Sequence, residues 1–132
     1  PYKIIRSLVP GMRTLGGGKI INVASIWSTI SKTYRSLYST TKAGLVGMTK
    51  AMAVEFAKDN ILVNAISPGF TMTDLTKKSL SEEQMDELAN TVPLGRFATV
   101  DEIAQVILFL ASDYNSYLTG QNIVVDGGFT IV

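Results

Sequence analysis

The 132-residue sequence contains no cysteine and no histidine. Without cysteine there is no disulfide, no thiolate nucleophile and no thiolate metal site. Without histidine there is no Ser-His-Asp triad, no imidazole base and no imidazole metal ligand. Chemistry is left to Ser, Thr, Tyr, Lys, Arg and the carboxylates, and no metal site is expected. One surviving mechanism is proton transfer by tyrosine. No apolar run reaches the length of a membrane span, and nothing at the start reads as a signal peptide. A soluble, cytoplasmic protein without membrane contact is expected. Net charge is only +1, so no global field draws in nucleic acid. At 46% hydrophobic and 17% charged residues, the composition is that of an ordinary folded domain. The length allows one domain at most.

The charge is unevenly spread. Residues 1–66 carry nine Lys or Arg against Glu55 and Asp59, whereas residues 67–132 carry three against nine. Solvated faces explain this, and so does a basic face turned toward a phosphorylated ligand.

Residues 1–15 have Ile4, Ile5, Leu8 and Met12 at helical spacing, closed by Gly16, Gly17 and Gly18. Pro10 is expected to kink or end this helix near Val9. The pattern opens in mid-element, as a cut would. Residues 19–25 are short and β-branched, as in a strand buried on both faces of a parallel sheet. Residues 26–37 read as loop. A helix is expected from Leu37 to Ala57, apolar nearly all round and so mostly buried. Its Gly44 and Gly47 would permit close packing against another chain. Residues 61–66 form a second buried strand, ended by Ser67, Pro68 and Gly69. Residues 70–80 read as polar loop. Ser81 with Gln84, and Thr99 with Glu102, match capping boxes for helices over 81–88 and 99–111. Asn122 to Val125 is a third strand, closed by Asp126, Gly127 and Gly128. Strand, helix, strand, helices, strand predicts an α/β fold with parallel crossovers.

Tyr38 and Lys42 stand at i and i+4, on one face of the predicted helix. An ammonium beside a phenol favours the phenolate, which suits a general acid and base near neutral pH. Ser25 ends the first strand, where open α/β sheets place their active groups. Its hydroxyl could hold a carbonyl oxygen for Tyr38 to protonate. Taken singly, Tyr38 and Lys42 could be a surface pair, Ser25 a strand-end cap and Pro68-Gly69 a plain turn.

Taken in order, the motifs resemble the C-terminal half of a short-chain dehydrogenase/reductase, most of all the 3-oxoacyl-acyl-carrier-protein reductase type. The resemblance rests on Asn22-Val23-Ala24-Ser25, Tyr38-x-x-x-Lys42 and Ala43-Gly44. It continues through Val63-Asn64-Ala65-Ile66-Ser67-Pro68-Gly69-Phe70, Pro93-Leu94-Gly95-Arg96 and Thr119-Gly120 to Asp126-Gly127-Gly128. It implies a partial Rossmann domain over residues 1–132, with three parallel strands flanked by helices. It implies hydride transfer between a ketone or secondary alcohol and NAD or NADP. Tyr38 would move the proton and, with Lys42, contact the cofactor; Ser25 would orient the oxygen, and Lys42 would bind the nicotinamide ribose. Backbone around Pro68, Gly69, Phe70 and Thr71 would meet the carboxamide, and Thr73 would hydrogen-bond the cofactor. Residues 71–92 would be a mobile lid over a small carbonyl or alcohol substrate.

The family's glycine-rich phosphate turn, its cofactor-selecting residue and its fourth catalytic Asn have no counterpart here. Gly16-Gly17-Gly18-Lys19 lacks a preceding strand and the G-x-G-x-x-G spacing. The first strand would therefore be an open edge, covered by a homo-oligomer partner or by a complementary N-terminal fragment. The rival expectation is a catalytically inactive half-domain serving as an assembly or interaction module.

Overall fold

The computed structural model describes residues 1–132. Three parallel strands form one sheet in the order β1-β2-β3: β1 is Gly18–Val23, β2 is Ile61–Pro68 and β3 is Asn122–Val125. Helix α1 (Tyr2–Thr14) precedes β1, and α2 (Ser36–Phe56) joins β1 to β2. Short α3 (Asp74–Ser79), then α4 (Glu82–Asn90) and α5 (Val100–Ala111), lie between β2 and β3. The α/β expectation and the three strands hold, but β1 is not buried on both faces as expected: only Asn22 is buried along it and Val23 is half exposed, because one side of the strand has no neighbour.

Strand β2 occupies the middle, and six of its eight residues are buried. Alternate side chains leave a strand on opposite faces. Ile61 and Val63 join Ile5, Val9, Met52, Ala53 and Phe56 in one core beneath α1 and α2. Leu62 and Asn64 face the other way, toward α5 and the segment that follows it. The register sets Lys19 beside Leu62, and its ammonium reaches the carbonyl of Ser112 at the end of α5.

The buried polar groups of the sheet are all partnered. The Asn22 amide donates to Thr49 Oγ1 on α2 at 2.9 Å. Asn64 donates to the Leu118 carbonyl at 2.7 Å and accepts from the Gln121 backbone N–H at 3.0 Å. Ser67 Oγ donates to Asn122 Oδ1 at 2.7 Å. The first bond fastens β1 to α2, and the others fasten β2 to β3 and the segment leading into it.

Both capping boxes form in full. Ser81 and Gln84 exchange side chain-to-backbone bonds at the start of α4, as do Thr99 and Glu102 at α5. Arg96 adds a bidentate pair to Glu102 at 2.6 and 2.9 Å. The guanidinium and the Thr99 N–H hold the Glu102 carboxyl at about 2.

Three expectations need correction. Helix α1 runs unbroken through Pro10. The missing N–H frees the Arg6 carbonyl on an exposed face, where water can solvate it. Buried Ile5 and Val9 then hold both halves to one core, with Arg6–Glu55 and Arg13–Asp59 pairs alongside. Residues 70–80 are not all loop, because Thr73 accepts from the Thr76 N–H and starts α3. Helix α2 is not mostly buried: Thr49, Met52, Ala53 and Phe56 alone are buried along it, and Leu37 and Val54 are about four-fifths exposed. Its apolar character greatly exceeds what this chain covers, and no neighbouring atom crowds Gly44 or Gly47. No helix is long and apolar enough to cross a membrane.

Two stability outcomes follow from this packing. Phe56 is fully buried, so Phe56→Ala should cost about 3–5 kcal/mol in denaturant unfolding. Glu102 has a folded-state pKa below its unfolded value, so its contribution is full above about 4.5 and fades as pH falls toward about 2. Glu102→Gln should therefore lower the melting temperature at pH 7, and the gap to wild type should close progressively through that acid window.

Candidate active site

The C-terminal ends of β1 and β2 open into a cleft of about 630 Å³, within the size range of small-molecule sites. Ser25 lies two residues beyond β1 and is buried. It caps the 3-10 turn Ile26–Ser28, accepting from the Trp27 N–H at 3.3 Å. The backbone thus occupies an acceptor position of Ser25 Oγ and leaves its proton free to donate. Tyr38 enters the same cleft from the first turn of α2.

Lys42 follows one turn later. Its ammonium sits 5.6 Å from the centroid of the Tyr38 ring and donates to the Val23 carbonyl at 3.0 Å. That carbonyl belongs to the last residue of β1, so Lys42 ties the helix to the strand end that carries Ser25. One ammonium proton is used there, and two remain.

The turn after β2 forms another wall. The Gly69 N–H donates to the Val125 carbonyl at 2.9 Å. A Cβ on Gly69 would meet the Cα and Cβ of Asp126 at 2.8 Å, so the close approach requires glycine. Beyond it, the chain bridges to the segment before α5: the Ala98 N–H donates to the Phe70 carbonyl at 2.9 Å, and the Met72 N–H to the Ala98 carbonyl at 2.8 Å. The N–H groups of Phe70 and Thr71 donate to no acceptor within the chain. Gly69, Phe70, Thr71 and Thr73 all line the cleft, whereas Pro68 lies behind it in the sheet, in register with Val125. The Thr71 hydroxyl donates to the Gly69 carbonyl at 3.2 Å, and Thr73 Oγ1 is engaged in capping α3.

The sequence pattern missed the aromatic floor. Phe70 stacks on Phe97 at 5.4 Å between centroids and meets Phe129 edge-on at 5.0 Å. Phe129 in turn meets Trp27 edge-on at 6.4 Å. These residues come from four separate segments with no shared period. Their one sequence signal is that each is an isolated aromatic near a turn. Leu75, Leu80 and Leu88 on the α3–α4 segment face the same space. Lys32 and Arg35, in the stretch expected to be plain loop, also line it. Gly16, Gly17 and Gly18 lie at the other end of β1, away from the cleft.

Comparison with known proteins agrees with this architecture. A family model described as enoyl-(acyl carrier protein) reductase matches residues 1–130. The 3-oxoacyl-acyl-carrier-protein reductase of Thermotoga maritima is 45% identical over 130 residues, which cover 98% of this chain and 52% of that protein. An NAD-dependent glycerol dehydrogenase of Listeria innocua is 43% identical over 120 residues, covering 91% and 47%. Among solved structures, a gluconate 5-dehydrogenase from Burkholderia cenocepacia in complex with NADP and tartrate superimposes with a TM-score of 0.92 at 31% identity. That match covers 99% of this chain and 52% of the other. The chain spans about half the length of the curated relatives it matches. Motif order, strand order and these likenesses agree: the chain belongs to the short-chain dehydrogenase/reductase family and corresponds to the C-terminal half of its Rossmann fold.

Proposed function

We propose that the protein carrying this chain is a cytoplasmic NAD(P)-dependent oxidoreductase interconverting a ketone and a secondary alcohol. The observation that carries this reading is the convergence of Ser25 and Tyr38 on one cleft, with the Lys42 ammonium against the Tyr38 ring. The names of the relatives, all oxidoreductases, support the same chemistry.

The residues present fit the nicotinamide end of such a cofactor. The two unengaged N–H groups at Phe70 and Thr71 are donors suited to a carboxamide oxygen. Lys42 has two ammonium protons free for ribose hydroxyls, and Gly69 keeps the turn close to β3. Pro68 holds that turn in the sheet. The Thr73 hydroxyl already donates to Thr76 Oγ1 at 2.9 Å, because the Thr76 proton goes to the Thr71 carbonyl, so Thr73 offers the cofactor an acceptor. When bound, the nicotinamide supplies or accepts the hydride. Residues for the pyrophosphate end do not occur among these segments.

In carbonyl reduction, the free Ser25 proton hydrogen-bonds to the substrate oxygen and fixes its position. Tyr38 then donates its phenolic proton to that oxygen as negative charge develops on it. Lys42 stabilises the negative charge left on the phenol oxygen and holds the helix end in register with β1. In the oxidation direction Tyr38 accepts the proton back. The aromatic floor and the leucines of the α3–α4 segment give the cleft apolar walls beside the reacting groups.

The partners follow from the same geometry. The substrate is a small carbonyl or alcohol. Strand β1 pairs on one side only, and unpaired edges recruit a covering chain. Its occupant is an N-terminal fragment of the same fold or a second copy in a homo-oligomer. The open edge also favours a second reading, a half-domain that assembles but does not turn over.

Tyr38→Phe should lower kcat for ketone reduction by about 10²–10⁴-fold, with NAD(P)H affinity retained in calorimetry. Ser25→Ala should lose about a hundredfold or more. Undiminished turnover in Tyr38→Phe sinks the proton-transfer role. Absence of NADH and NADPH binding by wild-type protein favours the assembly reading instead.

A further inference from the structure

The stretch between Ser25 and Tyr38 carries an unexplained feature. Residues 32–35 form a tight turn, in which the Arg35 N–H donates to the Lys32 carbonyl at 3.2 Å. Its third residue, Tyr34, has φ +64° and is fully exposed. This left-handed conformation suits glycine, and a bulky side chain is uncommon there. Strain of this kind persists where the surroundings impose it, often at ligand sites. The turn brings Lys32 and Arg35, one at each of its ends, to the wall of the reaction cleft.

Both cations lack a counter-ion. The ion pairs of the chain are Arg6–Glu55, Arg13–Asp59, Lys19–Asp113 and Arg96–Glu102. No Asp or Glu lines the cleft. The Lys32 ammonium is held 5.4 Å from the Trp27 ring centroid, a cation–π contact that steers it without neutralising it. Arg35 stands at the N-cap of α2, and its guanidinium enters none of these ion pairs. The amino-terminal end of a 21-residue helix adds favourable potential for an anion. A guanidinium fork and an ammonium together match the oxygens of a carboxylate or a phosphate.

We propose that Lys32 and Arg35 form an anion-recognition wall of the cleft, which selects carbonyl or alcohol substrates carrying a carboxylate or phosphate group. The inference rests on the cleft being the reaction site. It adds the substrate's charge to that reading. The anionic end of the substrate lies at the 32–35 turn, and the reacting carbon lies at Ser25 and Tyr38.

The test compares a 3-oxo acid, its methyl ester and a phosphorylated ketone as substrates of the protein carrying this chain. In wild type, kcat/KM should favour an anionic substrate over the ester. In Lys32→Ala/Arg35→Ala the ratio of anion to ester should fall by about 10- to 100-fold, the usual effect of removing charge-assisted bonds. Charge reversal in Lys32→Glu/Arg35→Glu should invert it. The acid and the phosphorylated ketone identify which anion is preferred. Calorimetric titration with malonate and with inorganic phosphate supplies a readout that needs no turnover, and the alanine pair should weaken the preferred anion by a similar factor. Ketone turnover with an unchanged anion-to-ester ratio overturns the proposal and leaves the oxidoreductase reading standing. If the wild-type protein binds the anion, the alanine pair loses it and neither reduces any ketone, the oxidoreductase reading is overturned and the selection of substrates with it.

Discussion

Strand β2 carries the structure. It is the one strand with neighbours on both sides, and it is buried on both faces. A strand so placed must be apolar, and any polar side chain in it must find a partner inside the protein. Asn64 and Ser67 meet that demand by bonding to the segments that flank and form β3. The central strand therefore dictates where the last strand docks. That docking brings Val125 and Asp126 against Gly69.

The candidate site inherits its geometry from this arrangement. Ser25 and the turn at Gly69 stand at neighbouring strand ends because β1 and β2 are parallel and in register through Val23 and Ile66. Lys42 spans helix and strand, so the Tyr38 ring is fixed relative to the β1 terminus by one ammonium group. The Arg96–Glu102 pair plays a similar part at the opposite wall. It secures the start of α5 next to Phe97 and Ala98, which hold the chain after Gly69.

Local chemistry was the legible part of the sequence. The capping boxes at Ser81 and Thr99 formed as the pattern required, because each joins residues only three apart. The three strands were readable from β-branched runs. The helix through Pro10 was not, because tertiary anchoring at Ile5 and Val9 outweighed one lost backbone bond. Helix α2 misled for the opposite reason: its apolar residues exceed what one chain can cover. Ser25, Tyr38 and Lys42 could be singled out by spacing and residue type. The aromatic floor could not, since Trp27, Phe70, Phe97 and Phe129 meet only in three dimensions.

That floor bears on how the molecule forms. The Trp27–Phe129 contact closes a loop of about a hundred residues, and contacts of such separation are slow to find because chain entropy opposes them. The core of α1, α2 and β2 needs only residues 5 to 63. Val92, Phe97, Ile103 and Leu110 complete the interior from the later half of the chain, the half that also walls the cleft. Core and cleft are therefore built from the same late residues, and a change that loosens Phe97 disturbs both.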